Sequence, residues 1–164
     1  MKYRKLTLDE LEELESEFTT FLATHGIPAE DWEKMKQKSP ERCEQLIEIF
    51  SDIVFDKILG KVEYLEHREK RIIRIFKFGE EKVIMNGLQL EGESAIDFRK
   101  DQNAEQLLQL FRLSPSKLKI FTAEKKYKKE RSLEIFNLIN SGAQILKEDR
   151  LFHVIEQLKG NQIQ

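Results

Sequence analysis

At 164 residues the chain is long enough for one domain with a substantial core, since a fold of about 150 residues buries roughly 70% of its unfolded surface. Its 40% apolar and 35% charged residues exclude disorder beyond the termini, and no stretch approaches the ~20 apolar residues of a membrane-spanning helix. The net charge of −2 hides a segregation: residues 1–56 carry seven Lys and Arg against fourteen Asp and Glu, whereas residues 99–131 carry ten against four.

The opening Met1-Lys-Tyr-Arg-Lys-Leu is basic but is followed by no apolar run of signal-peptide length, so a cytoplasmic protein without a membrane anchor is expected. Thr7 and Glu10 have capping-box spacing, and Leu6 and Leu11 flank them as a hydrophobic staple. A helix is therefore predicted from this point to Gly26. Along it Leu11, Leu14, Phe18 and Phe21 recur every three or four residues as a buried stripe, while Glu10, Glu12, Glu13, Glu15 and Glu17 occupy the rest of the surface.

Pro28 suits the first position of a short helix carrying Trp32 and Met35, and Ser39-Pro40 opens a third helix that should end near Gly60. Cys43, Leu46, Ile47, Phe50, Ile53, Val54 and Ile58 repeat at helical spacing there, with Ile49 and Phe55 widening the stripe. The single Cys43 cannot form an internal disulfide and reads as a buried structural thiol in a reducing compartment.

After Gly60 three extended segments follow, roughly Val62 to Arg68, Arg71 to Phe78 and Lys82 to Leu90, rich in Ile, Val, Phe and Tyr. They predict a three-stranded antiparallel meander whose second connection, Gly79-Glu80-Glu81, is short enough only for a hairpin. Ile72, Phe76 and Phe78 alternate onto one face and Ile73 and Ile75 onto the other, so both faces should be partly covered. Residues 91–102 read as a loop, and Asn103 caps a helix carrying Leu107, Leu108, Leu110 and Phe111 that ends at Ser114-Pro115.

Two readings stand for the next segment. Leu118, Ile120 and Phe121 form a short fourth strand, or they approach a helix capped by Thr122 that runs to about Ser141, before Gly142. A last helix is expected over Lys147 to Lys159. With no internal repeat and no Gly/Ser/Pro linker, the fold class is α+β: N-terminal helices, a three-stranded antiparallel meander and C-terminal helices, packed as one domain.

Chemistry leaves little local trace. His25, His67 and His153 lie in different elements, and none begins a zinc pattern. Glu63, Glu66, His67 and Glu69 form the densest potential ligand cluster, but on a strand Glu66 points away from the other three. Asp52 and Asp56, one turn apart among apolar residues, read as a solvated helix face ahead of a catalytic pair. Nucleophile elbow, phosphate loop and dinucleotide fingerprint are all missing, so no catalytic residue, metal ligand or cofactor is assigned.

The remaining signal is the basic segment Lys125, Lys126, Lys128, Lys129 and Arg131, with Lys117 and Lys119 upstream. In the helical reading the four lysines fall in the first two turns, where they oppose the helix dipole, and Lys125 with Lys129 adds a like-charge pair. Helix stability therefore does not explain them. Contact with RNA or DNA would, the ammonium groups neutralising phosphates and Tyr127 stacking on an unpaired base. The leading expectation is nevertheless a protein partner, or a second copy arranged head to tail, guided by the acidic and basic surfaces.

Met1-Lys-Tyr-Arg-Lys-Leu-Thr-Leu-Asp-Glu-Leu, Gly26-Ile-Pro-Ala-Glu-Asp-Trp32 and Phe50-Ser-Asp-Ile-Val-Phe55 resemble a small family of unknown function from Bacteroidetes-type bacteria. The resemblance spans most of the chain and implies an intracellular bacterial protein. It carries over no catalytic or binding residue.

Overall fold

The computed structural model describes residues 1–100 and 102–162, and the chain divides into two compact units, Met1–Gly60 and Lys61–Gln164. Helices come first, then strands, then helices alternating with strands, so the fold class is α+β as the sequence predicts.

The first unit is helical: α1 Leu8–Glu13, α2 Glu15–Thr24, α3 Ala29–Lys38 and α4 Pro40–Leu59. The Thr7 and Glu10 capping box forms with both of its hydrogen bonds. The expected continuous helix to Gly26 is instead interrupted at Leu14 (φ −104°, ψ 22°), whose N–H reaches the carbonyls of both Glu10 and Leu11 at 3.2 Å. Neither Pro nor Gly stands there, so the break has no local signal.

Leu6, Phe21, Leu22, Leu46 and Phe50 form the buried centre, and Leu11, Leu14, Phe18, Trp32 and Met35 pack against it. Phe18 meets Trp32 edge-on at 5.2 Å and Phe50 at 5.0 Å. Such aromatic pairs add about 0.5–1.5 kcal/mol each beyond their buried area. Cys43 is buried here, and burial pushes its thiol pKa up, away from the reactive thiolate.

Asp52 is half-buried and Asp56 exposed, and both are bonded to the start of the chain. Asp52 accepts the backbone N–H groups of Lys2 (2.8 Å) and Tyr3 (3.1 Å), and Asp56 accepts the Tyr3 hydroxyl (2.5 Å) and Lys2 Nζ (2.9 Å). The fully buried Ser51 accepts the Leu6 N–H at 3.0 Å. One side of α4 thus clasps the N-terminal segment.

The second unit is built on an antiparallel five-stranded sheet in the order β4-β3-β2-β1-β5, with β1 Tyr64–Arg68, β2 Ile72–Phe78, β3 Lys82–Leu90, β4 Leu118–Lys126 and β5 Gln144–Leu146. The expected three-stranded meander is its centre, extended by one strand on each side. Helices α5 Ala104–Leu113, α6 Arg131–Asn140 and α7 Arg150–Gln162 complete the unit. The last helix begins at Arg150 because Gln144–Leu146 is drawn into pairing with Glu66–Tyr64. Gly142, at φ +107°, makes the turn between α6 and β5.

Ile73, Ile75, Leu88, Leu90 and Leu118 form one continuous face of the sheet, covered by Leu107 and Phe111 of α5 and by Leu151, Phe152, Ile155 and Leu158 of α7. Phe78 and Val83, cross-strand partners on the opposite face, line a small cavity with Leu138 of α6. Both faces are covered at least in part, as the alternation in β2 implies.

Candidate functional site at the open edge of the sheet

The basic segment does not begin a helix. β4 runs on through Lys126, residues 127–130 form a turn, and α6 starts only at Arg131, so Lys125 and Lys126 end a strand and Lys128 and Lys129 occupy the corner. The dipole conflict of the helical reading disappears. Thr122 caps no helix; it lies in β4 opposite Asn86. β4 is an edge strand, paired only with β3, and lysine is a common guard of such edges because a like-charged strand is repelled.

Glu134 organises the corner. Its Oε1 accepts the N–H groups of Lys128 (3.1 Å) and Lys129 (3.4 Å), and its Oε2 meets Lys125 Nζ at 3.3 Å. Burial raises the pKa of this carboxyl, but the hydrogen bonds from Lys128, Lys125 and Lys129 outweigh it and the net direction is down. Glu134 therefore holds the turn in its anionic form.

Tyr127 and Arg131 are spent on the same corner. The Tyr127 hydroxyl donates to the carbonyls of Gly79 (2.7 Å) and Lys82 (3.1 Å), bracing the β2–β3 hairpin. Arg131 donates to the carbonyls of Gly79, Val62 and Phe78. Tyr127 is half-buried, and burial pushes its phenol pKa up. Lys125, Lys126, Lys128 and Lys129 stay exposed at this end, and Lys119 is exposed toward the other. Lys117 closes the 3₁₀ turn Pro115–Lys117 that leads into β4.

A second polar constellation was not apparent in the sequence. Asn86, fully buried in β3, donates through Nδ2 to Glu156 Oε1 at 2.8 Å and to the Phe152 carbonyl at 3.4 Å, and its Oδ1 accepts the Thr122 hydroxyl at 3.1 Å. Lys159 Nζ closes the cluster, 3.1 Å from Glu156 Oε1 and 3.2 Å from Thr122 Oγ1. The hydrogen bond from Asn86 leads in lowering the Glu156 pKa, against desolvation and with help from Lys159. No buried side-chain N or O lacks a partner among the described residues. The cluster ties α7 to the sheet. Its signal is the dipeptide Asn86-Gly87, which reads as a hairpin turn yet sits within a strand.

A concavity of about 360 Å³ on the second unit is lined by Glu66, Arg68, Gln102, Glu105, Glu148 and Arg150 among others. Four of its charges are used internally: Arg68 pairs with Glu66 and donates to the carbonyls of Phe98, Lys100 and Gln102, and Arg150 pairs with Glu105. The remaining suspected ligands separate, Glu69 pairing with Arg74 at 3.5 Å and His153 with Asp149 at 3.2 Å. No three His, Cys, Asp or Glu side chains converge to hold a metal ion among the described residues. No helix of the described residues is long and apolar enough to cross a membrane.

Comparison with known proteins finds a family of unknown function whose model matches residues 1–160. No curated protein and no solved structure matches the chain.

Proposed function

We propose that this chain, which belongs to the family of unknown function DUF6495, is a non-catalytic interaction protein of the bacterial cytoplasm that meets a protein partner through segregated acidic and basic surfaces. The observation that carries this reading is the corner between β4 and α6. There Lys126, Lys128 and Lys129 project into solvent and enter no ion pair among the described residues, while the turn beneath them is held by Glu134. In the first unit Glu12, Glu13, Glu15 and Glu17 are exposed in the same way. Charges of this kind steer an encounter and fix its orientation.

A second reading, RNA or DNA binding through Lys117, Lys119, Lys125, Lys126, Lys128, Lys129 and Arg131, draws on the same exposed lysines. It is weaker because the Tyr127 hydroxyl and the Arg131 guanidinium already bond the hairpin. The two readings separate in one fluorescence-anisotropy experiment at low and moderate salt. A labelled acidic peptide and a labelled mixed-sequence single-stranded RNA are each titrated with the protein and with a Lys126→Glu, Lys128→Glu, Lys129→Glu variant. Binding of the peptide that is lost in the variant supports the interaction reading. Preferential RNA binding with a steep salt dependence transfers the site to nucleic acid, and binding of neither probe removes the role assigned to the corner.

A further inference from the structure

We infer that the outer edge of β4 receives an extended, acidic peptide segment as an added strand, its main chain bonded to β4 and its carboxylates beside the lysines. This inference rests on the interaction reading above and specifies its mode. β4 is nine residues long and has β3 on one side only. At its two ends Lys117 C=O accepts the Glu91 N–H (2.7 Å) and the Tyr127 N–H reaches the Glu81 carbonyl (3.4 Å). In an antiparallel ladder these odd-numbered residues, with 119, 121, 123 and 125 between them, face β3. Ile120, Thr122, Glu124 and Lys126 consequently turn their N–H and C=O groups outward, and Thr122–Lys126 are all exposed. That row is a template for strand addition.

Charge selects the occupant. Glu124 pairs with Lys82 and Lys125 with Glu134, whereas Lys119, Lys126, Lys128 and Lys129 enter no ion pair among the described residues. A second copy added about a two-fold axis at Thr122, the middle of the strand, would set Lys125 opposite Lys119, a like-charge pair that opposes pairing. The chain's own acidic run lies in α1 and α2 and is helical, so another copy has no acidic strand to give. Nucleic acid supplies phosphates but no peptide groups to match the outward ladder. An acidic extended segment satisfies both the ladder and the lysines, and the charges that exclude a second β4 admit it.

The test uses a labelled peptide of alternating Glu and Val on the intact protein, followed by anisotropy and by amide hydrogen exchange. Glu124→Pro removes one outward N–H without touching the bonds to β3, and Glu124→Ala is its control with the N–H kept. The inference expects Glu124→Pro to weaken binding about tenfold relative to Glu124→Ala, and the amides of residues 120, 122, 124 and 126 to gain protection with peptide bound. Because proline could disturb the strand, the wild-type protein is also titrated with the peptide N-methylated at alternate residues. One set of methylated positions should abolish binding while the other leaves it intact. Peptide binding that is sensitive to reversal of Lys126, Lys128 and Lys129 but indifferent to Glu124→Pro and to N-methylation overturns strand addition and leaves the interaction reading standing. Binding of RNA in place of the peptide overturns both.

Discussion

Gly87 of β3 and Phe121 of β4 are cross-strand partners, and the Phe121 ring occupies the position that a β-carbon on residue 87 would take. Glycine inside a strand ordinarily weakens it through lost packing and greater unfolded-state entropy. Here the neighbouring strand fills the gap with an aromatic ring. Gly87→Ala should therefore destabilise the second unit, by about 1–3 kcal/mol as for other overpacked sites, although alanine has the better intrinsic strand preference. In a double-mutant cycle by chemical denaturation, the loss should shrink when Phe121→Ala removes the ring. Additive effects would mean that the ring is not what residue 87 accommodates.

Asn86, next to it, is held by Glu156, Thr122 and the Phe152 carbonyl. Replacing this fully buried amide with Ala leaves the Phe152 carbonyl and the half-buried Glu156 short of a donor, and a loss of about 1–3 kcal/mol is expected. Asn86→Ala should also release α7, seen as faster amide exchange across Leu151–Leu158 than across α5. Uniform acceleration of both helices would show that Asn86 does not act through α7 alone.

Much of the fold was legible because its signals are local. Thr7 with Glu10 and Asn103 with Gln106 form the capping boxes that start two helices, and Pro40 starts a third. β2 and β3 announce themselves through β-branched and aromatic residues. β4 is harder, because an edge strand exposed over Thr122–Lys126 lacks the apolar alternation that marks a half-buried strand, and its Glu and Lys residues suit a helix equally well. β5 has three residues and exists through its pairing with β1, a long-range contact that no local pattern encodes. The basic cluster was legible as charge. That Tyr127 and Arg131 serve the hairpin was not, since their acceptors are backbone carbonyls some fifty residues earlier in the chain.

The Tyr127 hydroxyl joins the β4–α6 corner to the β2–β3 hairpin through Gly79 and Lys82. Tyr127→Phe keeps the ring and loses only these bonds, so a destabilisation of about 1 kcal/mol is expected in denaturant unfolding. Glu134→Gln keeps an acceptor for the Lys128 and Lys129 amides but gives up the charge, and it should loosen the turn less than Glu134→Ala. Amide exchange at Lys128 and Lys129 orders the two variants, and equal exchange in both would remove the role assigned to the Glu134 acceptor.

The N-terminal clasp should be sensitive to acid. Hydrogen bonds from Arg4, at 2.8 Å to each carboxylate oxygen, and from the Thr7 N–H hold the Glu10 pKa down at about 2. The Tyr3 hydroxyl, followed by Lys2, lowers that of Asp56. A carboxyl with a depressed folded-state pKa stabilises the fold fully above its unfolded value, about 4 for these groups, and loses that contribution as pH falls through the folded value. Wild type should therefore melt above Glu10→Gln near pH 7, with the gap closing between about pH 4 and pH 2. Asp56→Asn should behave in the same direction. A gap that persists unchanged to pH 2 would mean that Glu10 contributes through its shape in the capping box and not through its charge.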